Sequence, residues 1–269
     1  MKITFTEEEL LSSVKYDYPY IVNGKRMHGG VMLYGAYWPP RTLYRYQAIA
    51  NWTNQLLGKG GELWEVQDVH DGMSISGGTG QDLWNDLTFV SRMEARARLF
   101  VHNDFPDLQQ WIVEDISNMA LGHVHKGLIK AHALDECGSE EEGGHDSLWL
   151  AIRDITFKGQ EFPDPPHPPR RLSEGVRVPE IDYMAEFCIT ALVNLLIIEM
   201  KTKDDFSRAE QVIAPESLFI LKNIATDEDI HISSLRLYFG ELSMLTIKTI
   251  DGENISGREV IQRIWDAIL

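Results

Sequence analysis

Apolar residues recur every three or four positions along two long stretches in the second half of the chain. This spacing is typical of helices that bury one face. It predicts one helix from about Glu180 to Val212 and a second from Pro215 to Met244, because proline is favoured in the first turn of a helix. The short link between them predicts an antiparallel hairpin. The buried face of the second helix would comprise Leu221, Ala225, Glu228, Ile232, Leu235, Phe239 and Leu242.

The first half of the chain has a more interrupted pattern. Residues 1–40 show little helical periodicity, which predicts irregular or short extended structure. Residues 71–80 are rich in glycine and serine and predict a loop. The pattern between and beyond these segments predicts helices over residues 41–57, 81–101, 107–136 and 145–157.

Two further segments flank the predicted hairpin. Residues 158–180 are rich in proline and charge, so they would cross the surface in an extended form. Residues 245–250 alternate like a strand and lead into an Asp251-Gly252 turn. The sequence Ser256-x-x-Glu259 is a capping box, which predicts a last helix ending near Ile268.

The chain has 269 residues, of which 43% are hydrophobic, enough for one large domain with a sizeable core. We expect a single domain over 1–269, because neither helical half would complete a bundle alone. Its parts would be an N-terminal extension with the first helix (1–80), a first helical half (81–157), a crossover rich in proline (158–180), a second helical half (181–244), and a C-terminal hairpin with a helix (245–269).

The net charge of −16 argues against nucleic acid or an anionic membrane as a partner, since both require a basic surface. The two cysteines, Cys137 and Cys188, are too few for a disulfide framework. The sequence suggests neither a signal peptide nor a membrane span. We therefore expect a cytoplasmic protein.

Two carboxylates interrupt the apolar faces of the predicted hairpin. Glu199 lies 14 residues before Ile213 and Glu228 lies 15 residues after it, so an antiparallel arrangement brings both to the same level. His231 follows three residues after Glu228, on the same face. Burying a carboxylate is costly unless a positive charge meets it. These three residues predict a metal site, and the alternative is a core glutamate neutralised by His231 or by an arginine.

The first half offers several candidates for the remaining ligands. A continuous helix over 107–136 would place Glu114, His125, His132 and Glu136 on one face. In one arrangement Asp135-Glu136 and His145 correspond to Asp227-Glu228 and His231, with residues 137–144 as an insertion.

In the other arrangement Glu142 and His145 act together, with Glu114 opposite them. Two consecutive glycines, Gly143 and Gly144, disfavour a helix through that segment, so we favour Glu136 with His145. A further carboxylate could be Glu94, Glu114 or neither, and His132 is an additional candidate.

The placement of Glu199 on one long helix and Glu228-Asp-Ile-His231 on the next resembles the ferritin-like di-iron carboxylate superfamily. The resemblance covers residues 181–244 and, more loosely, 82–157. It implies a mainly α fold, an antiparallel four-helix bundle that holds two metal ions, usually iron and sometimes manganese. The superfamily includes iron stores, oxidases, hydroxylases, N-oxygenases and radical-generating subunits. The irregular N-terminal extension and the C-terminal hairpin with its helix would be additions to that bundle.

These observations lead us to expect a metal-dependent oxidase or oxygenase that acts on a small organic molecule and dioxygen. Apolar neighbours such as Leu195, Ile198 and Leu235 would exclude water, and Asp227 could orient a ligand histidine. Electrons would come from an external donor, because no flavin or nicotinamide fingerprint is present. The candidate metal ligands are Glu199, Glu228, His231, Glu136, His145, Glu114 and His132.

Three other functions are compatible with the sequence. Iron storage would require a large cage, and a metal-free protein would use the helices as a scaffold or partner-binding surface. A copper-type cluster of His123, His125 and His132 lacks a matching helix rich in histidine in the second half. The apolar hairpin and the acidic surface are compatible with a homodimer.

Overall fold

The computed structural model describes residue 6 and residues 20–22, 25–27, 40–66, 75–98, 100, 103–138, 143–166 and 177–268. Within these ranges the chain is mainly helical, which confirms the predicted class. The α-helices there are α1 (Pro40–Gly58), α2 (Gln81–Glu94), α3 (Ile129–Cys137), α4 (His145–Phe157), α5 (Tyr183–Val212), α6 (Leu218–Ser243) and α7 (Gly257–Ile268). The strands form two antiparallel pairs, β1 (Tyr20–Val22) with β2 (Lys25–Met27), and β3 (Thr246–Lys248) with β4 (Asn254–Ser256).

Helices α5 and α6 pack along one another as the predicted hairpin. Asp182 caps α5, since its carboxylate accepts the backbone N–H groups of Met184 at 2.8 Å and Ala185 at 3.4 Å. A 3₁₀ turn at Pro215–Ser217 precedes α6. The predicted inner face of α6 is confirmed, because all of its members are buried except the partly buried Ala225.

The apolar core has two parts, one toward each end of this hairpin. The first part joins α1, α7, the first half of α5 and the second half of α6. The second joins α2, α4, the end of α5 and the start of α6. Between the two parts α5 buries Glu199 and Asp205, and α6 buries Asp227 and Glu228. The polar interval therefore lies in the interior, with apolar layers on either side.

Helix α1, placed by sequence in the N-terminal extension, is part of the first core because it packs against α6. The chain after α1 runs close to the α6 backbone at Gly240, where an added Cβ would overlap the carbonyl oxygen of Glu62. The N–H of Trp64 donates to the Arg236 carbonyl at 3.0 Å, and Arg236 Nε donates to the Trp64 carbonyl at 2.8 Å. These contacts fix α1 against the centre of the molecule.

The predicted continuous helix over 107–136 is wrong. Only α3 at its end is α-helical, and short 3₁₀ turns and a π turn at Val124–Leu128 come before it. Gly127 has φ of 135°, a conformation that glycine adopts without strain and that interrupts a helix. A Cβ at Gly122 would overlap the carbonyl oxygen of Ile116, so the chain also folds tightly there. Glu114 and His125 consequently do not share a helical face with His132.

The segment 160–166 has no helix or strand, as predicted, and it lies against α2 and α4. Trp84 Nε1 donates to Asp164 at 3.1 Å, and the Arg153 guanidinium lies 3.9 Å above the Trp84 ring. The predicted C-terminal hairpin and last helix are confirmed as β3, β4 and α7. Residues 67–74, 167–176 and most of 1–39 lie outside the described ranges.

Among the described helices, α5 alone is long and apolar enough to cross a bilayer, with a mean hydropathy of 1.6 over its best 18-residue window. Just over half of that window, 56%, is buried inside the chain. The core helix of a soluble protein meets the same criterion, so this helix is weak evidence of a membrane span.

Candidate metal centre

Six histidine and glutamate side chains converge in the polar interval between the two cores. They come from four helices: α3 supplies two, α4 one, α5 one and α6 two. Each is at most 6% exposed to solvent. The residues are His132, Glu136, His145, Glu199, Glu228 and His231. All six are among the residues that the sequence singled out.

The side chains form two overlapping groups that could each hold a cation. The four-residue group is His132, Glu136, Glu199 and His231, and the three-residue group is Glu136, His145 and Glu228. In each group the potential ligand atoms all lie within 4.8 Å of one another. Glu136 belongs to both groups, so its carboxylate could bridge two ions.

The nitrogen and oxygen atoms of the groups approach one another closely. His231 Nδ1 lies 2.9 Å from Glu136 Oε1 and 3.1 Å from Glu228 Oε2. His145 Nδ1 lies 3.1 Å from Glu228 Oε1 and 3.3 Å from Glu136 Oε1. His132 Nε2 lies 2.9 Å from Glu199 Oε1, and its ring stacks on that of His231 with centroids 3.7 Å apart. The donor atoms therefore face a common small volume.

Several of these atoms lack a well-aligned hydrogen bond despite the short distances. Both carboxylate oxygens of Glu136, Oε1 of Glu228 and Nδ1 of His145 are buried without a hydrogen-bond partner. Buried polar atoms are almost always hydrogen-bonded in folded proteins. These four atoms belong to the three residues of one group. A cation among them would satisfy all four, so the donor set fits a metal ion.

Two aspartates each lie beside Nε2, the second ring nitrogen, of a candidate ligand histidine. Asp135 Oδ2 lies 3.1 Å from His231 Nε2, and Asp227 Oδ2 lies 3.5 Å from His145 Nε2. A carboxylate at Nε2 favours the tautomer with its proton there and leaves the lone pair of Nδ1 for a metal. Arg45 of α1, itself buried, contacts Asp135 Oδ2 at 2.5 Å.

Glu94 completes the cluster from α2. It is buried, and the charge of Glu136 acts on its carboxyl group. Burial, followed by the negative charge of Glu136, raises the pKa of Glu94 well above its ordinary value. The sequence signal was its position on the apolar face of α2 with Leu87 and Val90, but the neighbouring arginines offered an alternative partner.

Glu114 does not join the cluster, and its prediction as a ligand is wrong. It lies in the irregular segment before α3, where its carboxylate accepts the backbone N–H of Thr246 at 2.9 Å and the hydroxyl at 2.8 Å. Burial alone would raise the pKa of Glu114, but these bonds from Thr246 lower it. Glu142 lies outside the described residues.

The three histidines of the alternative copper cluster are not brought together. His123 packs against Trp52 with centroids 4.9 Å apart, and His125 lies 3.5 Å from Asp107. Of the three, His132 is the one found in a metal-compatible group within the described part of the chain. Ile198, expected beside the site, is instead 38% exposed, and Leu195 is only partly buried.

Without a metal, protons neutralise the cluster. Burial and the charges of Glu199 and Glu136 raise the pKa of Glu228 to about 8. Burial would lower the pKa of His145 and of His231, but the charge of Glu136 raises both well above their ordinary values. Burial opposes ionisation of Glu199, but hydrogen bonds from Glu228 and the histidines lower its pKa. Binding a cation would displace these protons.

Comparisons of this chain with protein-family models, with curated proteins and with solved structures give no match.

Proposed function

We propose that this chain is an oxidase or oxygenase with two metal ions, most consistent with iron, and that it acts on a small organic molecule and dioxygen. The observation that supports this most directly is the sharing of Glu136 between two groups of potential ligands. A carboxylate can bridge two cations, and adjacent sites of this kind act together on one substrate.

The arrangement of helices supports a ferritin-like bundle. In this proposal α2, the pair α3 and α4, α5 and α6 correspond to its four helices, with α3 and α4 as one broken helix. Each would contribute a glutamate, α6 would add one histidine and the α3–α4 pair two, which is one histidine more than the ligand pattern of that superfamily. Helices α1 and α7 would be additions that extend the core.

A count of formal charges supports two divalent ions rather than one. Five carboxylates lie in or against the groups when Glu94 is protonated: Asp135, Glu136, Glu199, Asp227 and Glu228. Arg45 contributes one positive charge through Asp135. Two divalent ions would supply the other four positive charges, and this set of groups would then be neutral. Unneutralised charge in a buried site is strongly unfavourable.

Iron suits a mixed set of carboxylate oxygens and imidazole nitrogens, and manganese is the alternative in the same coordination. A bound iron pair would supply electrons to dioxygen. The side chains would hold the ions, and the apolar layers above and below would exclude water from the reaction. Asp135 and Asp227 would keep the ligand histidines in one orientation. The proposal includes a cytoplasmic location and an external electron donor.

Metal analysis of the full chain tests this proposal. The protein would be purified after expression with ample iron, and iron and manganese would be measured by mass spectrometry. We expect about two ions per chain, as the two groups imply. After removal of metal and anaerobic addition of ferrous iron, admitting air should produce rapid oxygen uptake.

A matched pair of variants makes that experiment specific. Glu228→Gln removes a candidate ligand, whereas Glu241→Gln changes a buried glutamate of the same helix that binds the backbone N–H groups of Ala120 and Leu121. We expect loss of metal and of oxygen uptake only for Glu228→Gln. Metal at trace level in the wild-type protein would refute the proposal and favour the metal-free scaffold.

A further inference from the structure

Helix α5 carries a row of exposed and partly buried residues opposite its own core. The row has strict alternating spacing of three and four, and its members are Met184, Phe187, Ala191, Asn194, Ile198 and Lys201. Spacing that averages 3.5 residues is the signature of a seam between two helices. Phe187 is 54% exposed, Met184 42% and Ile198 38%. We call this row the α5 seam.

The remaining faces of α5 are already buried against the rest of the chain. Leu192, Leu196 and Glu199 face the interior, and Thr190 and Ile197 on the flanks of the seam are also buried. A helix that is apolar on every side is normally covered on every side. Exposed apolar rows of this length mark an interaction site in a soluble protein.

We propose that the α5 seam binds the same seam of a second copy of this chain, with the two helices antiparallel. Pairing about a point between Ala191 and Asn194 places Phe187 level with the partner's Ile198. It also places Met184 level with the partner's Lys201 and Ala191 beside the partner's Asn194. Such a contact is self-complementary and closes as a dimer with two-fold symmetry.

The charges at the two ends of the seam favour this direction. Asp182 lies at its start, and Lys201 and Lys203 lie at its end, where Lys203 Nζ is 3.5 Å from Asp229 of α6. Antiparallel pairing brings the acidic end of one copy to the basic end of the other. Parallel pairing would instead set Lys201 beside Lys201 and Asp182 beside Asp182, which is unfavourable.

The middle of the seam supports the same register. Ala191 is small and permits close approach of the two backbones. A polar residue within an apolar seam restricts register and number of strands. The Asn194 amide N–H donates to the Thr190 carbonyl of its own helix at 3.0 Å, and its oxygen could accept a hydrogen bond across the seam. The polar amide of Asn194 and the net charge of −16 argue against an anionic bilayer as the occupant of this face.

The molar mass of the full chain in solution tests the proposal. We expect twice the chain mass of 30.7 kDa at micromolar concentration by light scattering. Ile198→Glu places a charge in the seam and should give the single-chain mass. Phe219→Glu, a charge at another exposed apolar residue, should leave the dimer intact.

Cysteine cross-linking tests the antiparallel direction of the two helices without placing a charge in the seam. Mixing Ala191→Cys protein with Asn194→Cys protein should give a disulfide between the two variants under mild oxidation. A disulfide formed only within the Ala191→Cys protein would refute the antiparallel register. A wild-type monomer, or one that floats with phosphatidylcholine vesicles, would refute the dimer.

Discussion

The two halves of the candidate centre present the same chemical groups in different ways. In α6, Glu228 and His231 lie three residues apart on one unbroken helix. In the first half, Glu136 lies one residue before the end of α3 and His145 begins α4, so the two residues belong to different helices. Both histidines nevertheless direct Nδ1 toward glutamate oxygens and Nε2 toward an aspartate.

Each half of the centre provides an aspartate that contacts a candidate ligand histidine of the other half. Asp135 precedes Glu136 in α3 and holds His231 of α6, and Asp227 precedes Glu228 in α6 and holds His145 of α4. The start of α4 lies close against the end of α3, because a Cβ at Gly144 would overlap the backbone of Cys137 and Gly138. A glutamate and a histidine on two separate helices can therefore take up the same arrangement as a pair three residues apart on one helix.

Removing the shared carboxylate should have the largest effect. Glu136→Gln keeps the size of the side chain but removes the charge that both groups share, so we expect the metal content to fall from about two ions per chain to fewer than about 0.5. Metal analysis after dialysis measures this. Retention of one ion would show that Glu136 does not bridge, and Glu241→Gln again controls for the loss of a buried carboxylate.

Removing one histidine should show whether the two groups bind metal independently of each other. His145 belongs to the three-residue group alone, so His145→Ala should leave about one ion per chain, held by the other group. The matched change His123→Ala removes a buried histidine outside the cluster and should leave two ions. If His145→Ala lost both ions, the two groups would be cooperative rather than separable.

The aspartates should have smaller effects that differ between the halves. Removing a carboxylate that orients a ligand histidine typically weakens metal binding 10- to 100-fold. We expect Asp135→Asn to weaken it more than Asp227→Asn, because Asp135 lies closer to its histidine and its loss also leaves Arg45 buried without its carboxylate. Competition with a metal-binding dye measures the affinity. Equal effects would show that Arg45 adds nothing.

A change of pH should have the smallest effect on stability and on metal affinity. In the metal-free protein the raised pKa values of Glu228, His145 and His231 mean that the folded state holds protons that the unfolded chain releases. Stability therefore falls as pH rises from the ordinary pKa of Glu228, 4.5, through its raised pKa of about 8, and the two histidines add to the loss above 6.5. Metal replaces those protons, and affinity should rise up to about tenfold per pH unit for each proton displaced.

Melting temperatures with and without metal provide the measurement. The difference between the two should widen from pH 6 to pH 8. The lowered pKa of Glu199 contributes stability that is lost only in acid below its ordinary range, so it does not affect this window. A difference that narrows with rising pH would contradict the proton displacement.

Local patterns were sufficient to predict the second half of the cluster. The apolar period of α5 and α6 located both helices, and the equal distance of Glu199 and Glu228 from the turn placed them at one level. An unbroken helix converts sequence spacing directly into angle and height, so three ligand candidates followed from arithmetic. The same arithmetic fails in the first half, because the backbone at Gly122 and Gly127 departs from a regular α-helix before α3. The spacing of Glu114 from His132 therefore does not place the two residues on one helical face.

The sequence by itself determined a mainly helical chain, the α5–α6 hairpin and the identity of six of the converging side chains. Only the tertiary structure decided that Glu94 faces Glu136, that Asp135 and Asp227 support the histidine of the opposite half, and that Arg45 of α1 meets the acidic cluster. Helical periodicity determines which side of a helix is buried. It carries no information about which distant residue packs against that side, because this depends on how glycine-rich breaks and loops orient one helix against another.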